Sequence, residues 1–173
     1  MLLDEFNAAD AADAASVVAV WAAIPAWVDA VVAGRPYASI DALTAHAATL
    51  ADEWSAADLD AALAHHPRIG QRPIGAGAEA AASRREQASM TDAAADVTAA
   101  IAAGNAAYEQ RFGRVFLIRA AGRAPEQILA GLRRRIGNDD DAEASEALGQ
   151  LAEIAILRLR ASLTAGPGER IAP

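Results

Sequence analysis

An all-α fold, a single-domain bundle of about seven to nine helices, follows from three observations on the sequence. Hydrophobic residues make up 54% of the chain and aromatics only 5%, and much of the hydrophobic share is alanine, the strongest helix former. Apolar residues recur at helical spacing through most of the chain. Prolines, glycines and Ser/Asp pairs fall where such stretches should begin and end. The 173 residues suit one domain, 1–173, long enough to bury a core. Alanine adds little volume, so that core must rest on scattered Leu, Ile, Val, Trp and Phe.

A first helix is expected from about Asp10 to Ala23, with Val17, Val18, Val20 and Trp21 as its apolar surface. Pro25 opens a second through Trp27, Val28, Val31 and Val32, closed by Gly34. Ser39 caps a third, whose stripe is Ile40, Leu43, Ala47, Leu50 and Trp54. Ser55 with Asp58 makes a capping-box pattern at the start of a fourth, and Pro67 disfavours helix just before it, near His66. Gly70 to Gly77 (GQRPIGAG) reads as a mobile loop and a candidate lid. A short helix follows over about Ala78–Ser89, then a long one over Asp92–Phe112 with Val97, Ile101 and Tyr108 on one side. Val115–Ile118 is too short for a helix of its own and reads as extended. Pro125 starts the next helix, to about Gly137, and the last runs from about Asp140 to Leu163, apolar over much of its surface. Arg133-Arg134-Arg135 in a last turn and Asp139-Asp140-Asp141 at a helix start complement the helix dipoles, with Arg135 keeping the alternative of facing a ligand.

The formal charge of −8, from 15 basic and 23 acidic residues, argues against nucleic acid as a partner. No apolar run approaches the ~20 residues that span a bilayer, and Met1 to Asp13 is acidic with no basic residue, unlike a secretory signal. A cytoplasmic protein without membrane contact is expected. There is no Cys, which excludes disulfides, thiolate nucleophiles and Cys-ligated metals. Every basic side chain other than His is Arg, so a lysine Schiff base, including the one that anchors pyridoxal phosphate, is impossible. The three histidines are His46, His65 and His66. None are spaced i, i+4, and adjacent His65 and His66 point in different directions on any regular element. No metal site is expected.

Three clusters could carry chemistry. His66 sits at a helix end before Pro67 and a Gly-rich loop, and its ordinary pKa of about 6.5 suits it to donate or accept a proton at neutral pH. The alternative is a helix-terminal His serving the last carbonyls. In Ser83-Arg84-Arg85-Glu86-Gln87, residues Ser83, Glu86 and Gln87 share one helical face. That face either meets a polar heterocycle with a hydroxyl, a carboxylate and an amide, or is merely solvated. Arg158 lies on an otherwise apolar helix and needs a partner, acidic side chain or substrate carboxylate.

His66-Pro67-Arg68-Ile69-Gly70 followed by Ser83-Arg84-Arg85-Glu86-Gln87 closely resembles the signature of the 2-oxo-4-hydroxy-4-carboxy-5-ureidoimidazoline (OHCU) decarboxylases. Phe6-Asn7, Pro25-Ala26-Trp27-Val28, Gly34-Arg35-Pro36-Tyr37, Phe116-Leu117-Ile118, Arg135-Ile136-Gly137-Asn138, Glu153-Ile154 and Arg158-Leu159 fall where family members have similar residues. The family usually has Phe where this chain has Tyr37, and small or apolar residues are common where it has Arg119. The resemblance implies a carboxy-lyase of urate breakdown that converts OHCU into (S)-allantoin without a cofactor. His66 would then be the catalytic acid, and Glu86 would orient the substrate's C4 hydroxyl. Pro67, Ser83, Arg84, Arg85, Gln87 and the run Phe116, Leu117, Ile118, Arg119 and Ala120 are implied substrate contacts, chiefly through backbone in that run. Arg158 would grip the carboxylate or a ring carbonyl. A homodimer is expected on the same ground.

This agrees with the residue inventory. Decarboxylation needs an electron sink, commonly a cofactor. In OHCU the carboxyl-bearing carbon adjoins a C=N that can serve, leaving the protein to orient the substrate and deliver a proton. Two other readings compete: a hydrolase or lyase in which His66 activates water, and a non-catalytic helical module binding a ureide or purine-like ligand.

Overall fold

The computed structural model describes residues 1–64, 67–71, 77–88, 90 and 93–165. Among them are nine helices: α1 (Leu3–Ala8), α2 (Ala11–Trp21), α3 (Pro25–Ala33), α4 (Ile40–Ala51), α5 (Ala56–Leu63), α6 (Ala78–Glu86), α7 (Ala95–Phe112), α8 (Pro125–Arg135) and α9 (Asp140–Ser162). No strand occurs among the described residues, only an isolated parallel bridge between Leu2 and Thr164. The all-α expectation holds. The chain forms two compact units, one built from Met1–Trp54 with the stretch from Ala152 onward, the other from Ser55–Leu151.

Helix starts follow the local chemistry. Asp10 accepts the Asp13 N–H at 2.9 Å and Ser39 accepts that of Ala42 at 3.0 Å. Ser55 and Asp58 make both bonds of a capping box, and α3 and α8 each open on proline. Each side-chain cap stabilises its helix by about 1 kcal/mol.

Several boundaries differ from the sequence expectation. Helix α1 was not anticipated, because six residues give too few turns for a periodic signal. It forms because Leu3 and Phe6 are buried and Glu5 accepts the Leu2 N–H at 2.8 Å. Helix α6 stops at Glu86, α7 starts at Ala95 and α8 stops at Arg135, each a few residues short of the expected range. Val115–Ile118 is non-helical, as expected, but forms no strand. His65, His66 and Arg72–Ala76, the central part of the proposed lid, lie outside the described residues.

In the first unit α2, α3 and α4 follow one another around buried Phe6, Val18, Trp21, Trp27, Val31 and Leu43. Asn7 and Tyr37 exchange two hydrogen bonds of 2.9 Å, and Arg35 donates to the carbonyls of Phe6 and Ala9 at 2.7 and 2.8 Å. Phe6-Asn7 and Gly34-Arg35-Pro36-Tyr37 are thus one tie between α1 and the end of α3.

In the second unit α7 packs on α8 over a core of Ile69, Ile101, Tyr108, Phe116, Ile118, Ile128, Leu129 and Leu132. Gly104 makes this packing close, since a Cβ there would sit 2.5 Å from a Leu132 methyl. The non-helical run after α7 is held from both neighbouring helices. Arg135 on α8 donates to the Leu117 carbonyl at 2.7 Å, and Gln150 on α9 accepts the Arg119 N–H at 3.0 Å.

Candidate active site

The stretch Pro67–Gln71 lies between α5 and α6 in the sequence, and four ties hold it within the second unit. Arg68 makes two hydrogen bonds to Glu109 on α7, at 2.5 and 2.8 Å. The bonded guanidinium holds the Glu109 carboxyl below its usual range and raises Arg68 in return. Ile69 buries its side chain in the core, and its carbonyl accepts from Asn105 Nδ2 at 3.0 Å. The Gly70 N–H donates to Gln87 Oε1 at 3.0 Å. Gly70 adopts a φ of +80°, in the left-handed region that favours glycine.

The Gly70–Gln87 bond joins the two motifs that carried the sequence argument. It also sets the orientation of the Gln87 amide. An oxygen must face the Gly70 N–H, so the NH2 group points elsewhere, and it makes no hydrogen bond among the described residues. Ser83 lies one turn earlier on α6 and is 2% exposed, while Glu86 is half-buried. Both have interactions of their own. Arg84 and Arg85 occupy the last turn of α6, where cations suit the helix dipole. Arg84 is half-buried with a partner of its own, and Arg85 is exposed.

Phe116, Leu117, Ile118 and Ala120 are all buried. The Leu117 carbonyl and Arg119 N–H are taken up by Arg135 and Gln150, and the Ala120 carbonyl accepts from the Arg123 N–H at 3.0 Å. The N–H and C=O of Ile118 carry no hydrogen bond among the described residues, although such buried groups are normally paired. The Arg119 side chain turns back to donate to the Ala121 carbonyl at 2.7 Å.

Arg135 is not a ligand-facing cation. It is 1% exposed, paired with the equally buried Glu143, and stacked over the Phe116 ring at 4.7 Å. Glu143 also accepts from Tyr108 Oη at 2.5 Å and Asn138 Nδ2 at 2.9 Å, and burial, then the Glu143 bond, pushes the Tyr108 phenol up. Arg158 belongs to the first unit, is 6% exposed and donates to the Val20 carbonyl at 3.0 Å. Sequence reasoning missed Asn105, Glu109, Gln150 and Glu143, whose contacts lie on other elements and leave no local pattern.

A family model described as OHCU decarboxylase matches residues 7–160. The chain belongs to the OHCU decarboxylase family. An OHCU decarboxylase of Amia calva is 35% identical over 133 residues, 76% of either chain. One of Mus musculus is 29% identical over 127 residues, 72% of this chain and 71% of its own. The fold is similar to the crystal structure of an OHCU decarboxylase in the presence of (S)-allantoin, with a TM-score of 0.69 at 21% identity over 83% of this chain and 94% of that one. It is also similar to the crystal structure of an (S)-allantoin synthase, with a TM-score of 0.68 at 18% identity over 94% of this chain and 54% of that one. The family match spans both motifs, from the tie at Asn7 to Arg158.

Proposed function

We propose that this chain converts OHCU into (S)-allantoin and carbon dioxide without a cofactor, with His66 as proton donor and Glu86 directed at the C4 hydroxyl. The bond between Gln87 and Gly70 supports this reading, because it joins the residue that ends α6 to Gly70 of the His66-Pro67-Arg68-Ile69-Gly70 motif.

The chemistry balances with the substrate as its own electron sink. The C4 carboxylate leaves as CO2, its bonding pair forms a C4=C5 double bond, and the C=N pair moves to nitrogen, which takes a proton. The resulting enol gives up its hydroxyl proton, the one Glu86 faces in this reading, and C5 gains a proton on one side. Delivery from a single His accounts for one enantiomer. Gln87 offers an NH2 donor whose direction Gly70 has set, and Ile118 offers a peptide N–H and C=O that carry no hydrogen bond among the described residues. Both suit a ring and ureido group rich in carbonyls and N–H groups. Pro67, Ser83, Arg84, Arg85 and the run from Phe116 to Ala120 complete the proposed contacts, with Arg158 gripping the carboxylate or a ring carbonyl. A homodimer and a cytoplasmic setting belong to the same proposal.

The test generates OHCU in situ from urate and follows its ultraviolet decay and the chirality of the allantoin. The protein is expected to accelerate the decay and give one enantiomer, and His66→Ala or Glu86→Ala to slow it by at least ~10²-fold. Decay at the spontaneous rate with racemic product from the unmodified protein would sink the proposal. Tight binding without turnover would favour a ureide-binding module instead.

A further inference from the structure

We infer that Asn105 is a positioning residue for the proposed reaction, locking the Ile69–Gly70 peptide so that Gln87 presents its NH2 group to the substrate. The inference rests on that reading of the site and deepens it.

Asn105 is an anomaly on its own helix. It lies in the middle of α7, is 5% exposed, and is flanked one turn away on either side by Ile101 and Tyr108, both in the core. Asparagine is a weak helix former, and a leucine would suit such surroundings better. Its Oδ1 is buried with no hydrogen-bond partner among the described residues, and an unpaired buried acceptor lowers stability. Packing alone therefore does not explain the residue. Its one observed bond does, from Nδ2 to the Ile69 carbonyl at 3.0 Å.

That carbonyl and the Gly70 N–H belong to the same peptide group. Asn105 on α7 holds its oxygen and Gln87 at the end of α6 holds its N–H. The peptide is thus clamped across its width by two helices. It needs clamping because Gly70, at φ +80°, tolerates either sign of φ and offers little resistance to a peptide flip. A flip would turn the carbonyl toward Gln87 Oε1. The two oxygens would repel, the Gln87 amide would rotate, and its donor would leave the direction proposed for the substrate. The Arg68–Glu109 pair does not replace this bond. It joins long, partly exposed side chains, whereas Asn105 grips the backbone three residues from His66.

The test uses the full chain with Asn105→Leu and Asn105→Asp. Asn105→Leu should remove hydrogen-exchange protection at the Gly70 amide while α7 amides stay protected, and should lower kcat/KM on OHCU by at least ~10-fold. Asn105→Asp repels the Ile69 carbonyl wherever its carboxyl is ionised, and should then behave likewise. It should regain activity relative to the unmodified protein as acidification protonates the new carboxyl and lets it donate. A purely structural role would give no such pH-dependent rescue. Unchanged Gly70 protection in Asn105→Leu, or lost protection with kcat/KM intact, overturns the inference. If the unmodified protein leaves OHCU unturned, the functional reading has failed, and Gly70 exchange still decides whether Asn105 sets the peptide.

Discussion

At Tyr37 a single hydroxyl ties the first unit to a particular pH range. The side chain is 8% exposed, its Oη donates to the Val31 carbonyl at 2.7 Å, and the site exists because Gly34 has no Cβ, which would lie 2.3 Å from that oxygen. Burial pushes the phenol up from 10.0 to about 12, with Arg35 opposing the shift. The raised folded-state value means that the neutral form is favoured on folding. This contribution is fully present below pH 10 and is lost as pH rises through about 12. Tyr37→Phe should lose the bond to Val31, about 1 kcal/mol near neutrality, and should melt with a shallower decline in Tm between pH 10 and 12 than the unmodified protein. Tyr108 titrates identically in both chains, so the difference isolates Tyr37. Parallel alkaline declines, read by circular dichroism, would assign the loss to other groups.

Helix ends and helix interiors were unequally legible. The starts at Asp10, Pro25, Ser39, Ser55 and Pro125 could be read because a cap or proline acts on neighbours within one turn. The motif residues around Gly70 and Gln87 were legible as local patterns, whereas Asn105, which bonds the Ile69 carbonyl, lies 36 positions from it. The arginine run after Leu132 shows the same division. All three residues do sit in the last turn of α8, but only the structure separates Arg134, an exposed partner of Glu146, from Arg135, buried against Glu143. Their energetics should differ accordingly. Arg134→Ala removes a solvent-screened pair, at about 0–1 kcal/mol. Glu143→Ala removes the close partner of the buried Arg135, leaving it Glu146 at 3.8 Å, and frees the Tyr108 hydroxyl, at about 3–5 kcal/mol. Urea unfolding of the two variants checks the contrast, and comparable losses would show that burial does not govern the pair.

For the whole molecule, the question is whether the two compact units are one thermodynamic domain. Helix α9 bears on it directly, since its residues through Leu151 belong to the second unit and those from Ala152 onward to the first, with no break in the 23-residue helix. Its buried positions continue across that division, with Ala147 and Leu151 on one side and Ile154, Ala155 and Leu159 on the other. A helix stabilised mainly by packing of its apolar face loses support along its length when half of that face is exposed. Unfolding either unit should therefore undermine the other, and the chain should melt as one cooperative domain. The tryptophans make the test simple, because Trp21, Trp27 and Trp54 all lie in the first unit, while far-UV circular dichroism averages over all nine described helices. The two signals should give the same urea midpoint and slope. A tryptophan transition that clearly precedes or trails the dichroism would show that α9 breaks near Leu151 and that the units unfold separately.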